Sequence, residues 1–461
     1  MFLKMLMKNF TIGEILMKNL ITEERLKKCR EARTVMREGY FEKAAHVIGD
    51  EGVFELRELY NIFDEGYYLW LASLYDPKIG GFYFSRSGRD TEGFLPDIES
   101  TVQALNCAQN NGLTYGKSSK EVYSENVKTA LVKFAQSLQD SENGYFYHPQ
   151  WGRNINIPRR GRDLGWSTKL FKMFDAKPLY PTPLVKNDDG KKSAYLPEYL
   201  QSIDAFKKYL SEFNLAEKSY WIGNMLQSQA SQIRAAGEEF VSELFSWLKA
   251  HQRTDNGLWQ EVVNYDSVNG LMKLSLIYSV LGEPIPNAVQ GLQSAITAAL
   301  SDQEIVFCCQ FYNPFSTINS ILSNIAKFDS KTKADELSAQ IIAKAPAIIK
   351  RTREKVSLCR LPDGSFAYNP YYYERKSRRS QMAPVSLGLK DDADVNGACI
   401  CLSGAVGNMC QALGIGKIPA FCDEDASLFH DILNNAEQYP KINPKPDWFD
   451  SCLVPEGTVW D

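Results

Sequence analysis

Histidine is nearly missing from this chain: only His46, His148, His251 and His430 occur among 461 residues. With no spaced Cys/His set of the zinc-finger kind either, the sequence gives no reason to expect a metal site or any other cofactor. Long apolar runs are also lacking. No stretch is long enough for a membrane span, and the opening "MFLKMLMKNFTIGEILMKNL" has no signal-peptide core followed by a small-residue cleavage site. The ten cysteines (29, 107, 308, 309, 359, 399, 401, 410, 422 and 452) are irregularly spaced, several of them inside apolar runs. That pattern suits reduced, buried thiols better than a disulfide framework, and a cytoplasmic location is expected from it. Positive charge is not in excess: the formal net charge is -4, which argues against a nucleic-acid partner. Alternating β-branched segments are scarce. Only "QEIVFCCQFY" (303–312) competes as a strand, against a reading as buried helix.

What is present is a repeat. "LYDPKIGGFYF" (74–84), "LQDSENGYFYHPQWG" (138–152), "HQRTDNGLWQE" (251–261) and "RLPDGSFAYNP" (360–370) each run from a helical pattern through Asp and Gly into aromatics. Physically this is a helix stopped by glycine in the left-handed region, followed by an aromatic plug. A strongly apolar helix follows each loop. Two of these helices open on related kernels, "DSVNG" and "DADVNG".

With two further helix pairs filling the gaps, apolar helices are expected to begin near 97, 164, 219, 266, 315 and 392. They alternate with amphipathic helices near 61–76, 122–139, 196–213, 237–252, 286–300 and 333–358. A helix apolar on all sides must be covered on all sides. The expected fold is therefore all-α, an (α/α)6 toroid of six inner and six outer helices over residues 61–414. Residues 1–60 form a helical extension on this scheme, and the Pro-punctuated 415–461 an irregular tail wrapping the rim.

The spacing of Phe or Trp, five residues, Gln, a few polar residues, Gly and an aromatic occurs in "FAQSLQDSENGYF" and "WLKAHQRTDNGLW". It resembles the Gln-Trp repeat of squalene and terpenoid cyclases and of protein prenyltransferase β-subunits. "GGFYFSRSGRDTEGFLPDIESTVQAL" and "CICLSG" are similar to the glycine-rich turn and inner-helix segments of the prenyltransferases. The likeness covers roughly residues 60–413 and implies the α/α toroid. The prenyltransferase zinc ligands are not matched, since Asn396 and Gly397 stand where the histidine is expected. The cyclase motif D-x-D-D is met only in part, by "DIES" (Asp97, Glu99) and "DADV" (Asp392, Asp394).

In such a ring, the loops after the outer helices and the first turns of the inner helices share one mouth. Arginines recur there: Arg86 and Arg89 in "SRSGRD", Arg160 and Arg162 in "NIPRRGRD", Arg375 in "YYYERKSRRS". Their planar donors suit carboxylate, sulfate or phosphate, although each is equally suited to a neighbouring acid, as Arg162 is to Asp163. Trp151, Trp259 and Tyr371 serve either as plates for a ligand or as packing plugs. Asp97 and Asp266 complete the expected binding set. The candidate catalytic groups are Glu99, Asp392 and Asp394 as paired carboxylates, and His148 with Tyr147 as a base and acid for β-elimination. Asp391, Asp392 and Asp394 are at the same time good caps for the helix that follows.

These groups fit an enzyme, a lyase or hydrolase of an acidic oligosaccharide. Two other readings stay open: a class II terpenoid-cyclase-like enzyme protonating a polyprenyl diphosphate through Glu99 or Asp392, and a non-catalytic scaffold gripping a glycan or peptide. The oligomeric state is not legible.

Overall fold

The computed structural model describes residues 19–186, 190, 192–379 and 385–449. It is mostly helical. Helix α1 (Glu23–Tyr60) starts on Thr22, whose hydroxyl accepts from the Arg25 amide, and it is broken at Gly49, where φ is 70°. There follow α2 (Glu65–Ala72), a two-residue antiparallel pair β1 (Tyr75–Asp76) and β2 (Gly81–Phe82), α3 (Arg86–Asp90) and α4 (Ile98–Asn110). Next come α5 (Ser119–Val122), α6 (Glu125–Ser137), α7 (Ile157–Phe174), α8 (Ile203–Ser211) and α9 (Leu215–Ser228). After α10 (Ala230–Ala236) stand α11 (Glu238–His251), α12 (Tyr265–Leu281), α13 (Ala288–Leu300) and α14 (Cys309–Phe328). The remaining elements are α15 (Lys331–Ile342), α16 (Ala345–Cys359), α17 (Val395–Cys399), a π-helical stretch (Ile400–Val406), α18 (Gly407–Ala412) and α19 (Asp423–Asn434).

Six helices form a sequence of neighbours. α4 packs on α7, α7 on α9, α9 on α12, α12 on α14, α14 on the π stretch and α18, and α17 returns to α4. Their buried side chains join one continuous core with those of the surrounding helices and loops. α11 shows the other pattern, with Phe240, Val241, Leu244 and Leu248 buried on one side and a wet face opposite.

The repeated loops explain the register. In two of them the glutamine before the glycine donates to that glycine's carbonyl oxygen, Gln252 to Gly257 at 2.8 Å and Gln139 to Gly144 at 3.3 Å. Gly257 has φ of 70°, and a Cβ there would stand 2.3 Å from the Gly291 nitrogen in α13. Gly364, at φ of 85°, presses in the same way against Gly66 at the start of α2, so the last loop docks on the first helix pair. The aromatic plugs Phe82, Trp259 and Phe366 are each 2% exposed or less, and the Trp259 indole donates to the Leu248 carbonyl at 2.9 Å.

Three details differ from the expectations drawn on the sequence. Residues 303–312 form no strand; the segment is irregular until α14 begins at Cys309. The apolar helices expected near 164 and 315 start earlier, at 157 with Pro158 in the first turn and at 309 with Pro314 carried inside the helix. The expected helix 333–358 is two helices, α15 and α16. Of the N-terminal extension, residues 1–18 lie outside the described residues. α1 packs on α16 and α19, and the buried Arg37 donates to the carbonyls of Tyr60, Phe63 and Ala420. Residues 435–449 run back over α3, with Ile442 and Asn443 donating to the Asp90 carbonyl. No helix among the described residues is long and apolar enough to cross a membrane.

Candidate functional site

Each of the six helices carries partly exposed residues at helical spacing among its buried ones. One such stripe comprises Gln103 and Asn106 on α4, Arg162 and Trp166 on α7, Tyr220, Trp221 and Asn224 on α9, Lys273 on α12, Tyr312, Ser316 and Asn319 on α14, and Cys399 on α17, Ser403 on the π stretch and Asn408 on α18. Stripes on neighbouring helices meet. Asn319 donates to the Asn408 carbonyl at 2.9 Å, the Cys399 thiol points at the Gln103 carbonyl at 3.3 Å, and a Cβ at Gly223 would lie 2.8 Å from the Cβ of Lys273. These polar faces turn toward one another, whereas the apolar faces meet the rest of the chain.

At the N-terminal ends of α4 and α7 two arginines are set among three carboxylates. Arg159, 1% exposed, donates to Glu99 at 2.9 Å and to Asp163 at 2.6 Å, and stands 3.9 Å from Asp97. Arg162 holds both oxygens of Glu99, one at 2.6 Å from its Nε, and Gln103 donates to the same carboxylate at 3.0 Å. The pairing of Arg162 with Asp163 expected from the sequence is therefore replaced by pairing across two helices. Burial alone would raise Glu99, but the guanidiniums of Arg162 and Arg159 carry it down to about 2. Asp163 goes the other way, pushed up to about 7 by burial despite its partner Arg159. Asp97 is the α4 cap: the Ser100 amide donates to it at 2.9 Å, and the Ser100 hydroxyl donates as well.

The carboxylates before α17 divide their roles. Asp394 is wholly buried and caps α17, accepting from the Gly397 amide at 2.6 Å and from the Arg378 amide at 2.7 Å. Burial pushes it up to about 7 in spite of these donors. Asp392 accepts from the Ser87 hydroxyl at 2.5 Å and is also raised by burial.

A second group of side chains faces this region from other elements. Cys309, the first residue of α14, has its sulfur 3.4 Å from the Tyr368 hydroxyl and interacts with Tyr220. The Arg378 guanidinium lies over the Tyr368 ring, 5.0 Å from its centre. Lys273 rises from α12 toward the same groups, and burial together with Arg162 and Arg378 brings it down to about 8. Among the described residues neither Lys273 nor Arg378 has a carboxylate in an ion pair.

The other sequence candidates are held elsewhere. His148 has both ring nitrogens engaged, Nε2 with the Pro96 carbonyl at 2.8 Å and Nδ1 accepting from the Gln150 amide at 3.1 Å. It stacks on Trp151 at 4.3 Å, and burial pushes it down to about 4, so the ring stays neutral. Tyr147 accepts from the Asn143 amide group at 3.1 Å and packs beside Trp151. Arg86 pairs with Asp363 at 2.8 Å, Arg89 with Asp90 at 2.6 Å, and Arg160 lies over the Tyr145 ring at 4.7 Å. Trp259 is a plug, Asp266 is exposed, Tyr371 is 55% exposed, and Arg375 lies near the Tyr371 ring at 5.9 Å. Thus Asp97, Glu99 and Arg162 come together, Asp392 and Asp394 stand on the neighbouring segment, and the rest serve local packing.

Sequence reading did not single out Lys273 and Cys309. A lysine in the otherwise apolar "NGLMKLSLIYSVL" was the available signal, because such a charge inside a covered helix needs a reason. A separate groove of about 1020 Å³ lies between α1 and the end of α4, lined by Met36, Tyr40, Tyr115, Pro419 and Phe421, and none of the sequence candidates borders it. No metal-holding group of three or more His, Cys, Asp or Glu occurs among the described residues. No protein family, curated protein or solved structure matches this chain.

Proposed function

We propose that the chain is an (α/α)6 toroid enzyme that binds an acidic oligosaccharide among its inner helices and cleaves it. The circuit of contacts from α4 through α7, α9, α12 and α14 back to α17 supports the ring. Helices α2, α6, α8, α11, α13 and α16 supply the outer layer in this arrangement.

The observation that carries the ligand class is the pair of partly buried cations, Lys273 on the stripe and Arg378 in the segment before α17, neither in an ion pair with a carboxylate among the described residues. Charge brought out of water without a partner is costly, and an anionic ligand supplies the missing partner. Amides from Gln103, Asn106, Asn224, Asn319 and Asn408 offer the donors and acceptors that sugar hydroxyls require, and Trp166 and Trp221 offer apolar faces for a ring. A carbocation, by contrast, needs walls without nucleophiles. A thiol, two tyrosines and several amides favour the sugar acid over a polyprenyl chain.

Elimination fits these groups better than hydrolysis. Hydrolysis uses two carboxyl groups free to exchange protons, whereas Glu99, Asp97, Asp163 and Asp394 are committed to arginines or backbone amides. Elimination needs a cation on the uronate carboxylate, which Arg378 or Lys273 supplies, and a proton donor for the leaving oxygen, which Tyr220 or Tyr368 supplies. Incubation with unsulfated and sulfated uronate oligosaccharides tests the reading. The expected result is a rising ultraviolet absorbance of unsaturated uronate with new reducing ends; silence across a broad panel overturns it.

A further inference from the structure

The cations described above share their surroundings with a nucleophile. Cys309 opens a 20-residue helix, where the first backbone amides favour a negative charge on the sulfur. The residue is buried, 7% exposed, and the Tyr368 hydroxyl stands 3.4 Å from its sulfur. Arg378 lies over Tyr368, and Lys273 and Tyr220 face the same sulfur.

We infer that the Cys309 sulfur is a nucleophile set to meet the carbon next to a carboxylate, the carboxylate itself being held by Arg378 and Lys273. The Cys308 thiol donates to Cys309 and, with Arg378, Tyr368 and Lys273, outweighs burial, so the Cys309 thiol loses its proton more readily than an ordinary one. Tyr220 and Tyr368 shift the opposite way, chiefly through burial, and keep their protons. The arrangement is a base beside two acids.

In the elimination proposed above, the thiolate takes the proton from the carbon α to the carboxylate. The C–H electron pair becomes the new C=C bond, the C–O bond to the glycosidic oxygen breaks, and a tyrosine hydroxyl protonates that oxygen. This use as a base rests on the oligosaccharide reading. The reactivity of the thiolate toward carboxylate-bearing reagents does not.

Iodoacetate therefore tests the inference without any sugar. Its electrophilic carbon is the one next to a carboxylate; the sulfur forms the C–S bond as the C–I bond breaks and iodide leaves with the electron pair. Neutral iodoacetamide is the faster reagent for ordinary thiols. The intact chain is treated with each reagent between pH 6 and 9, and the modified cysteine is read by peptide mass spectrometry. Iodoacetate is expected to modify Cys309 faster than iodoacetamide does, with a rate already level by pH 7.5, and R378Q is expected to reduce that preference by at least about tenfold. Far-ultraviolet circular dichroism of R378Q and C309S checks that each retains its helices. Faster reaction with iodoacetamide, modification first at Cys399, or an unchanged preference in folded R378Q overturns the inference. Selective alkylation without cleavage of any uronate supports the thiolate while removing the oligosaccharide reading, so the two fail separately.

Discussion

Two neighbouring groups of charge are built on opposite plans. Around Arg159, two guanidiniums meet three carboxylates: Glu99 and Asp163 are held at 2.6–2.9 Å, and Asp97 stands 3.9 Å away. Around Cys309, two cations, two tyrosines and a thiol face one another without a carboxylate in ion-pair contact. The first arrangement is complete as it stands, and its purpose is to fasten α4 to α7. The second has more cations than carboxylates, an excess that an anionic ligand balances on the proposed reading. Unbalanced enclosed charge, more than the number of charges, separates a ligand site from a structural knot.

The comparison is broken most severely at the knot. Arg159→Leu leaves Asp97, Glu99 and Asp163 facing one another in the interior, and a loss of about 3–5 kcal/mol in unfolding free energy is expected by urea denaturation. A loss below about 1 kcal/mol would mean the knot does not fasten the helices. Lys273→Met is expected to behave in the reverse sense. It removes a cation that is in no ion pair with a carboxylate among the described residues, so stability changes by less than about 1 kcal/mol, while affinity for a uronate oligosaccharide, measured by calorimetry, falls at least about tenfold. Equal affinity in the variant would remove Lys273 from the ligand site.

A smaller effect concerns pH. Asp394 titrates at about 7 in the fold, against about 3.9 when unfolded, so folding takes up a proton between those values. Its contribution is present below about 4 and is lost as pH rises through 7, the opposite of the usual carboxylate. Comparing urea midpoints at pH 5 and 7.5, Asp394→Asn should flatten the decline seen in the parent by an amount on the order of 1 kcal/mol. A slope as steep as the parent's would place the responsible group elsewhere. Smallest of all is Arg153→Ala. Arg153 pairs with Asp140 and Glu142 in solvent, and its removal should leave the thermal midpoint unchanged.

The fold was more legible than the site for a local reason. "HQRTDNGLW" encodes its own turn: glutamine, glycine and tryptophan act within a dozen residues, and Gln252, Gly257 and Trp259 make the contacts their spacing suggests. Helix starts were read less well: the helices expected near 164 and 315 begin at 157 and 309, because Pro158 sits in a first turn where its missing N–H is harmless and Pro314 is carried within α14. Charged loops misled in another way. Arg162 lies next to Asp163 in sequence, but helical geometry sends the two side chains in different directions, one to Glu99 and one to Arg159.

By itself the sequence determined the all-helical class, the alternation of covered and one-sided helices, and the glycine turns between them, because periodicity and turn chemistry act over a few residues. Only the tertiary structure decided which charges cancel. Arg159 comes to rest among acids while Lys273 and Arg378 do not. That outcome depends on side chains brought together from α4, α7, α12, α14 and the segment before α17, and no local pattern records such distances.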